Sequence, residues 1–347
     1  MLYFPSQFVS TYLNSRILLF FTGVIPIFLM PFWAPSMGLA TQIVIFALFG
    51  LSFNILFGYT GLLSFGHAAF FGLGAYASAL CLKHLDLNVW SSLGIAMVLA
   101  AILALIIGFL SLRLSGLAFA FVTLAFAEMI YFIFFHWRSL TGGDDGLTLI
   151  PVPKVSIVGI ISFGLTNPFA RYYFILAVVI IAYVAIYLIL NSPFGKVLRG
   201  IRENPERTAF LGYNVSLYRL ISFILSGSFS GMAGALFALH LNFVPIQSLH
   251  WSTSGHVVVL TLIGGSRFFL GPALGSLVIM LIEDWVNIWF EQWELVVGIF
   301  FVVVVLFIPI GLAGIFEKLR EQFLIKDGLN VLRDVSREKE NRKINSL

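Results

Sequence analysis

The chain has 347 residues, of which 60% are hydrophobic and only 10% are charged, whereas soluble domains average about 25% charged residues. This composition excludes a soluble globular protein and predicts a polytopic membrane protein. The formal net charge of +4 is expected to reflect the orientation of membrane spans, and nucleic-acid binding is not expected. The single cysteine, Cys81, lies in an apolar run and excludes an intrachain disulfide and a cysteine metal cluster.

Apolar runs separated by polar breaks predict about ten transmembrane segments. They are Ile17–Trp33, Leu39–Phe57, Thr60–Leu82, Val89–Leu110, Leu114–Phe135, Tyr172–Leu190, Leu220–Leu241, Gly255–Gly265, Pro272–Phe290 and Leu295–Phe316. The eighth run is too short to cross about 30 Å of hydrocarbon as a regular helix, so we expect some segments to be broken or tilted. The predicted fold class is all-α, with a transmembrane domain over residues 1–316 and a charged tail over residues 317–347.

The distribution of lysine and arginine predicts the orientation of the spans. If segment 192–215 faces the cytoplasm, alternate crossings place sixteen of the twenty basic residues on that side. The four left on the other side are Lys83, Arg138, Lys154 and Arg171. We therefore expect both termini to be cytoplasmic and loop 136–171 to be periplasmic. Five crossings on each side of that loop, starting from opposite faces, are consistent with an inverted repeat of five plus five segments.

The segment Ser192–Val215 is a strongly charged stretch between two apolar runs. Apolar residues recur in it at helical spacing as far as Ile201. Asn204 followed by Pro205 predicts the start of a second helix, because asparagine is a good N-cap and proline fits the first helical position. Gly212 can close that helix. The pattern is typical of a short, rigid docking element outside the membrane, and a well-capped loop is the alternative.

Small residues dominate the stretch Gly58–Ala79. Within it, Gly61, Ser64, Gly66 and His67 predict an interrupted helix that lines a passage, because irregular backbone at membrane depth survives only where protein or water covers it. The alternative is tight helix packing through small residues, with the imidazole simply hydrogen-bonded inside the protein.

Glu128 is the one carboxylate deep within a predicted span. An ionisable group at that depth is costly and faces a cavity or a partner, so Glu128 is a candidate for the translocation path. A structural hydrogen bond to a neighbouring helix is the alternative. Glu283 and Asp284 fall near the outer end of their span, and we interpret them as a solvated rim.

The sequence lacks the motifs of an ATPase or a hydrolase. No GxxxxGK[ST] loop is present, since Gly195-Lys196 is followed by Val197. There is no HExxH and no plausible serine or cysteine nucleophile motif. The chain is therefore predicted to be no enzyme and to bind no cofactor directly, so an energised transporter would use ATP through partner subunits.

Four stretches resemble the permeases of bacterial ABC importers for branched-chain amino acids, specifically the longer of the two permease subunits. They are Asn54–Tyr76, Thr141–Leu147 with the sequence TGGDDGL, Ser192–Val215, and the glycine-rich run Gly264–Gly275. The resemblance covers most of the chain from Leu39 to Phe316. It departs at Arg267-Phe268-Phe269, where members of the family more often carry small residues. Permeases for urea or short amides share much of this pattern and are the alternative.

The resemblance implies a multi-pass protein of the bacterial inner membrane that works with partners. These are a second homologous permease, two cytoplasmic ABC ATPase subunits, a periplasmic substrate-binding protein and membrane lipid. Segment 192–215 would be the coupling segment that contacts an ATPase. The contact residues would be Arg199, Arg202, Glu203, Asn204, Pro205, Arg207, Leu211 and Gly212.

Two further groups of residues complete the predicted site. The translocation path would contain Asn54, Gly61, Ser64, Gly66, His67 and Glu128. Asp144 and Asp145 in the TGGDDGL loop are candidates for contact with the binding protein, and an ordinary surface turn is the alternative.

The predicted function is thus a permease subunit that moves branched-chain amino acids to the cytoplasm by alternating access. A membrane-embedded transferase would cluster Asp, His or Arg at the interface to hold phosphates or metal, whereas this chain scatters its charges. An ATP-independent channel is the alternative from a different functional class.

Overall fold

The structure is a computed structural model that describes residues 27–148, 150, 154–157, 161–289, 293–307 and 310–315. Most of the first predicted span and the whole predicted tail 317–347 lie outside the described residues. The described chain is almost entirely helical. The exception is a two-stranded antiparallel hairpin within the loop predicted over 136–171, in which strand β1 (Lys154–Ile157) pairs with β2 (Ile161–Gly164).

The helices follow the predicted runs, with shifted ends. They are α1 (Met30–Trp33), α2 (Met37–Thr60), α3 (His67–His84), α4 (Val89–Ser111), α5 (Gly116–His136), α6 (Arg138–Thr141), α7 (Pro168–Asn191), α8 (Pro193–Glu203), α9 (Pro205–Phe210), α10 (Val215–Leu241), α11 (Trp251–Gly264), α12 (Gly271–Asn287) and α13 (Trp293–Phe307). Two short 3₁₀ turns, Gly143–Asp145 and Ile246–Leu249, lie in the connections.

Five of these helices, α2, α4, α5, α7 and α10, are long and apolar enough to cross a membrane. They establish a multi-pass membrane protein. Helix α11 has 14 residues, about 21 Å of helical rise, which is less than the hydrocarbon thickness. The total of about ten crossings, the inverted repeat and the sidedness of the termini stay predictions.

Side chains that cap helix N-termini determine where several spans begin. Ser36, Asn88, Asn167 and Asn214 each accept a hydrogen bond from a first-turn N–H group of α2, α4, α7 and α10, respectively, at 2.8 to 3.1 Å. These caps satisfy backbone donors that the helix itself leaves unpaired.

Helix α10 lies at the centre of the packing, against α2, α3 and α4. A methyl group at Gly74 would overlap the carbonyl oxygen of Gly231, and one at Gly234 would overlap the carbonyl oxygen of Phe71. Backbones of α3 and α10 therefore touch, which only glycine permits. The interpretation of these small residues as close helix contacts is confirmed.

Gly74→Ala should lower the free energy of unfolding by about 1–3 kcal/mol, because the new methyl group must push α10 away. Gly94→Ala in α4 is the matched control, since no atom lies within 4 Å of the position of its new methyl group. It should raise stability by up to about 1 kcal/mol through helix propensity. Unfolding by SDS titration in mixed micelles measures both, and a shift of the two variants in the same direction would contradict the packing argument.

Candidate functional site

The charged segment forms the two helices that its sequence predicts. Asn204 separates α8 from α9 in an extended conformation, with φ −158° and ψ 103°. Its Oδ1 accepts a hydrogen bond of 2.9 Å from the backbone N–H of Arg207. Pro205 occupies the first position of α9, and Gly212 follows the helix with φ +91°. The predicted cap and the predicted glycine stop are both confirmed.

Helix α8 is anchored to the membrane helices, whereas α9 projects from them. Leu198 and Ile201 are fully buried beneath α8, and a methyl group at Gly195 would overlap the carbonyl oxygen of Leu190 at the end of α7. At the end of α9, Phe210 is 89% exposed and Leu211 is 73% exposed. Two adjacent apolar side chains exposed on a charged segment are typical of a docking surface.

Sequence reasoning missed Phe210. Its signal in the sequence is the adjacent pair Phe210-Leu211 at the end of a charged segment.

The structure divides the predicted ATPase-contact residues into outward-facing and inward-facing groups. Arg199, Glu203, Asn204, Arg207, Leu211 and Gly212 are exposed, and Pro205 is half-buried. The guanidinium of Arg199 also lies over the ring of Tyr59, 5.3 Å from its centroid. Arg202 differs from the exposed group, because its half-buried side chain donates from Nη1 to the carbonyl oxygen of Gly58 in the last turn of α2.

Arg202 is held where the negative end of the α2 dipole favours a cation. Burial lowers the pKa of its guanidinium, the neighbouring Arg267 lowers this pKa further, and Tyr59 opposes the shift. Arginine remains charged under such conditions. Arg202 thus ties helix α8 to α2.

The predicted interruption of the helix near Gly61 is confirmed. Helix α2 ends at Thr60, Gly61 adopts φ +77°, and helix resumes only at His67. Gly61 lies against Arg202, whose Cγ would be 3.3 Å from an added methyl carbon. At the other end, the N–H of Phe65 donates to Thr123 Oγ1 of α5 at 3.1 Å. The break is therefore held between helix α8 and helix α5.

His67 lies at the centre of a buried hydrogen-bonded chain. Its Nε2 is 2.7 Å from Ser226 Oγ, which donates to the carbonyl oxygen of Ser52 at 2.6 Å. The ring of His67 packs edge-on against Phe53 and Phe70. The side chain is completely buried, so this conformation favours the hydrogen-bonded role over exposure to a passage.

Of the remaining predicted path residues, three are buried and two are at least partly exposed. Ser64 and Gly66 are buried. Asn54 is also buried, and its Nδ2 donates to the carbonyl oxygen of Phe268 at 3.4 Å. Gly61 is exposed and Glu128 is half-exposed. The structure therefore does not bring the six residues to one open channel, and their role in translocation stays a prediction.

Arg267-Phe268-Phe269, where the sequence departs from the family pattern, lies in the connection between α11 and α12. Phe269 packs edge-on against Tyr183 and Tyr187 of α7, with ring centroids 5.7 and 5.4 Å apart. Together with the bond from Asn54 to Phe268, this contact fixes the α11–α12 connection to α2 and α7.

Glu128 links α5 to the start of α11. Its Oε1 accepts a hydrogen bond of 3.2 Å from the backbone N–H of Trp251, the first residue of α11. The structural bond to a neighbouring helix, which was the alternative for Glu128, is present. Its half-exposed carboxylate leaves a further contact open.

The TGGDDGL loop is a glycine turn that packs on the segment before α11. Gly142, Gly143 and Gly146 all have positive φ, and Leu147 forms two 3.0 Å backbone hydrogen bonds with Val244. Asp144 and Asp145 are exposed at its tip. The contact of these carboxylates with a binding protein stays a prediction.

The interpretation of Glu283 as solvated rim was wrong. Its Oε1 lies 2.8 Å from Nε2 of His256, and their side chains are only 16% and 22% exposed. The pair joins α12 to α11 because the chain folds back between the two residues, which are 27 positions apart in the sequence. Spacing in the sequence does not reveal this contact.

The comparisons with known proteins decide the family. Residues 36–308 match the model described as "Branched-chain amino acid transport system / permease component". The chain is a member of this family of ABC permeases. No solved structure matches the permease.

Individual relatives agree with the family assignment. The permease is 28% identical over 311 residues to "High-affinity branched-chain amino acid transport system permease protein LivM" of Escherichia coli K12, covering 84% of this chain and 72% of the relative.

Methanocaldococcus jannaschii contributes two relatives. Its "Probable branched-chain amino acid transport permease protein LivM" is 25% identical, with 72% of this chain and 80% of the relative covered. Its "Probable branched-chain amino acid transport permease protein LivH" is 29% identical over 40% of this chain and 46% of the relative.

Ser226→Ala should lower the free energy of unfolding of the permease by about 1–3 kcal/mol, because His67 Nε2 is left buried without its partner. Ser222→Ala is the control on the same helix, since Ser222 Oγ donates only to Arg219 of its own turn at 2.8 Å. Ser222→Ala should lower the free energy of unfolding by less than Ser226→Ala does. SDS titration measures both, and equal losses would show that the buried chain does not stabilise the fold.

Proposed function

We propose that this chain is one of two permease subunits of an ATP-driven importer for branched-chain amino acids in the bacterial inner membrane. The family match over residues 36–308 carries the proposal. The substrate class is supported by the relatives named as branched-chain amino-acid permeases in both a bacterium and an archaeon.

Segment 192–215 is the coupling segment of this importer. The contrast between the two helices supports this role. Helix α8 is buried against the membrane helices, whereas α9 projects from them with Phe210 and Leu211 exposed. The permease itself binds no cofactor, and two cytoplasmic ABC ATPases bind and hydrolyse ATP. Their closure displaces α9, and α8 transmits the displacement through Arg202 to the end of α2.

The proposed topology has about ten crossings in two inverted halves with cytoplasmic termini. The five described spans, the interrupted pair α2–α3 and the short helices α11 and α12 support it. A periplasmic binding protein delivers the amino acid at the opposite face. The exposed Asp144 and Asp145 are its proposed contacts.

Reconstitution tests the function directly. Vesicles that contain this permease, the second permease and both ATPases should take up radiolabelled leucine, isoleucine or valine only when ATP and the binding protein are both supplied. Uptake without ATP and binding protein would instead identify a channel. Uptake of urea in preference to the amino acids would identify the alternative substrate class.

Arg207→Glu should weaken binding of the ATPase by about tenfold or more, because it places a reversed charge on the exposed face of α9. The protein should fold normally, since Arg207 is exposed. Lys196→Glu is the control with the same charge change, at an exposed position on α8 outside the predicted contacts. Pull-down of the ATPase by the detergent-solubilised permease measures both, and equal effects would argue against docking through α9.

Arg202→Gln should act differently, because this side chain faces inwards. It should lower the midpoint of thermal unfolding through loss of the bond to Gly58, while ATPase binding changes less than in Arg207→Glu. Reduced ATPase binding with an unchanged midpoint would place Arg202 in the docking surface.

A further inference from the structure

Helix α5 exposes one continuous face to the surroundings of the subunit. It is the least buried of the five candidate spans. Leu117, Phe121 and Phe132 are 72%, 64% and 62% exposed. These positions recur at spacings that place them on one side of the helix, and Glu128 falls on the same side between them.

Polar groups surround Glu128 on this face. It accepts its hydrogen bond from the start of α11, where Gln247 and Ser252 are exposed and His250 is half-exposed. The ring of His250 lies 5.2 Å from the ring of Tyr131 on α5. We call Glu128, Gln247, His250 and Ser252 the polar patch.

The polar patch lies at membrane depth. Glu128 is twelve residues after the start of α5 and eight before its end, which correspond to about 18 Å and about 12 Å along the helix. A carboxylate exposed to hydrocarbon at such a position costs at least about 2.5–3.5 kcal/mol. This cost disfavours lipid as the cover of this part of α5.

The other partly exposed spans show what a lipid face looks like in this protein. In the middle of α4, the exposed side chains include Val98, Ile102 and Leu105, and in the middle of α7 they include Ile181 and Val184. All of these are apolar. Only α5 places an ionisable side chain in the middle of such a face among the described spans.

The described part of the N-terminal segment, which begins at residue 27, packs against α7 and not against α5. Near α1, the carbonyl oxygen of Ile27 accepts a hydrogen bond from the hydroxyl of Tyr172, and the rings of Phe28 and Phe32 contact Tyr173 and Phe169. All three contacts are with α7, so within the described chain this segment does not approach the polar patch.

We propose that the face formed by α5 and the start of α11 is the surface that meets the second permease subunit, with the polar patch lining water-filled space between the two subunits. This inference rests on the proposed importer. A homologous partner suits the surface because its apolar residues can pack at the two ends of α5, while the two subunits leave the polar centre hydrated. The match of this chain to two permeases of one archaeon supports a homologous partner.

Site-specific photo-crosslinking tests the surface. A benzophenone amino acid replaces Phe121 in the permease co-expressed with its ATPases and an epitope-tagged second permease. The matched control replaces Ile181 on α7, which is 65% exposed against 64% for Phe121. Illumination should join the tag to the Phe121 variant only. A tagged adduct at Ile181, a lipid or intrachain adduct at Phe121, or no adduct at Phe121 would overturn the proposal.

Assembly is measured separately, by co-purification of the tagged second permease with the unsubstituted chain. Failure to co-purify would contradict the proposed two-permease importer. Co-purification without the Phe121 adduct would contradict only the surface assigned to α5.

Substitution of Glu128 gives a second, independent measurement. Glu128→Leu should lower ATP-driven uptake severalfold, because an apolar side chain dries the polar centre, whereas Glu128→Gln should retain more uptake since it still accepts from Trp251. A lipid-facing position would behave in the opposite way. Higher stability of Glu128→Leu with unchanged uptake would overturn the proposal.

Discussion

The contact between the backbones of α3 and α10 is the constraint on which the rest of the structure depends. Gly74 and Gly231 leave no room for a side chain between the two helices. In lipid, where apolar surfaces gain little by association, such close approach supplies much of the packing energy. It also places Ser226 of α10 beside His67 of α3, so that the buried hydrogen bonds can form.

The interrupted helix leads into this packing, because α3 begins where the break ends. Between Thr60 and His67 the chain forms no regular helix. Protein covers it on two sides, through Arg202 and Thr123. Neighbouring helices thus cover part of the irregular backbone.

The sequence predicted local features well and long-range contacts poorly. The cap at Asn204, the glycine after α9 and the interruption at Gly61 depend on neighbouring residues, so their signals are local. The inward orientation of Arg202 depends on Gly58, which is 144 residues away. Helical spacing marked Arg202 only as a charged residue on a charged segment, and nothing in that pattern indicated the carbonyl that it binds.

The same limit applies to the candidate path. Glu128 was recognised because a lone carboxylate in an apolar span is conspicuous by composition alone. Its partner on α11 was not predictable, and neither was the pair formed by Glu283 and His256, because both depend on how short helices fold back within the membrane domain. The small hairpin in loop 136–171 was also not predicted, although its two strands, KVSI and ISFG, alternate apolar with polar or small residues as strands do.

The bridge between Leu147 and Val244 connects the glycine turn to the chain that leads into α11. Two backbone hydrogen bonds join these residues, and a methyl group at Gly146 would overlap the carbonyl oxygen of Val244. The turn that carries Asp144 and Asp145 is thereby joined to the chain a few residues before Trp251, whose backbone N–H binds Glu128. A continuous path of backbone and hydrogen bonds thus connects the surface loop with the carboxylate in α5.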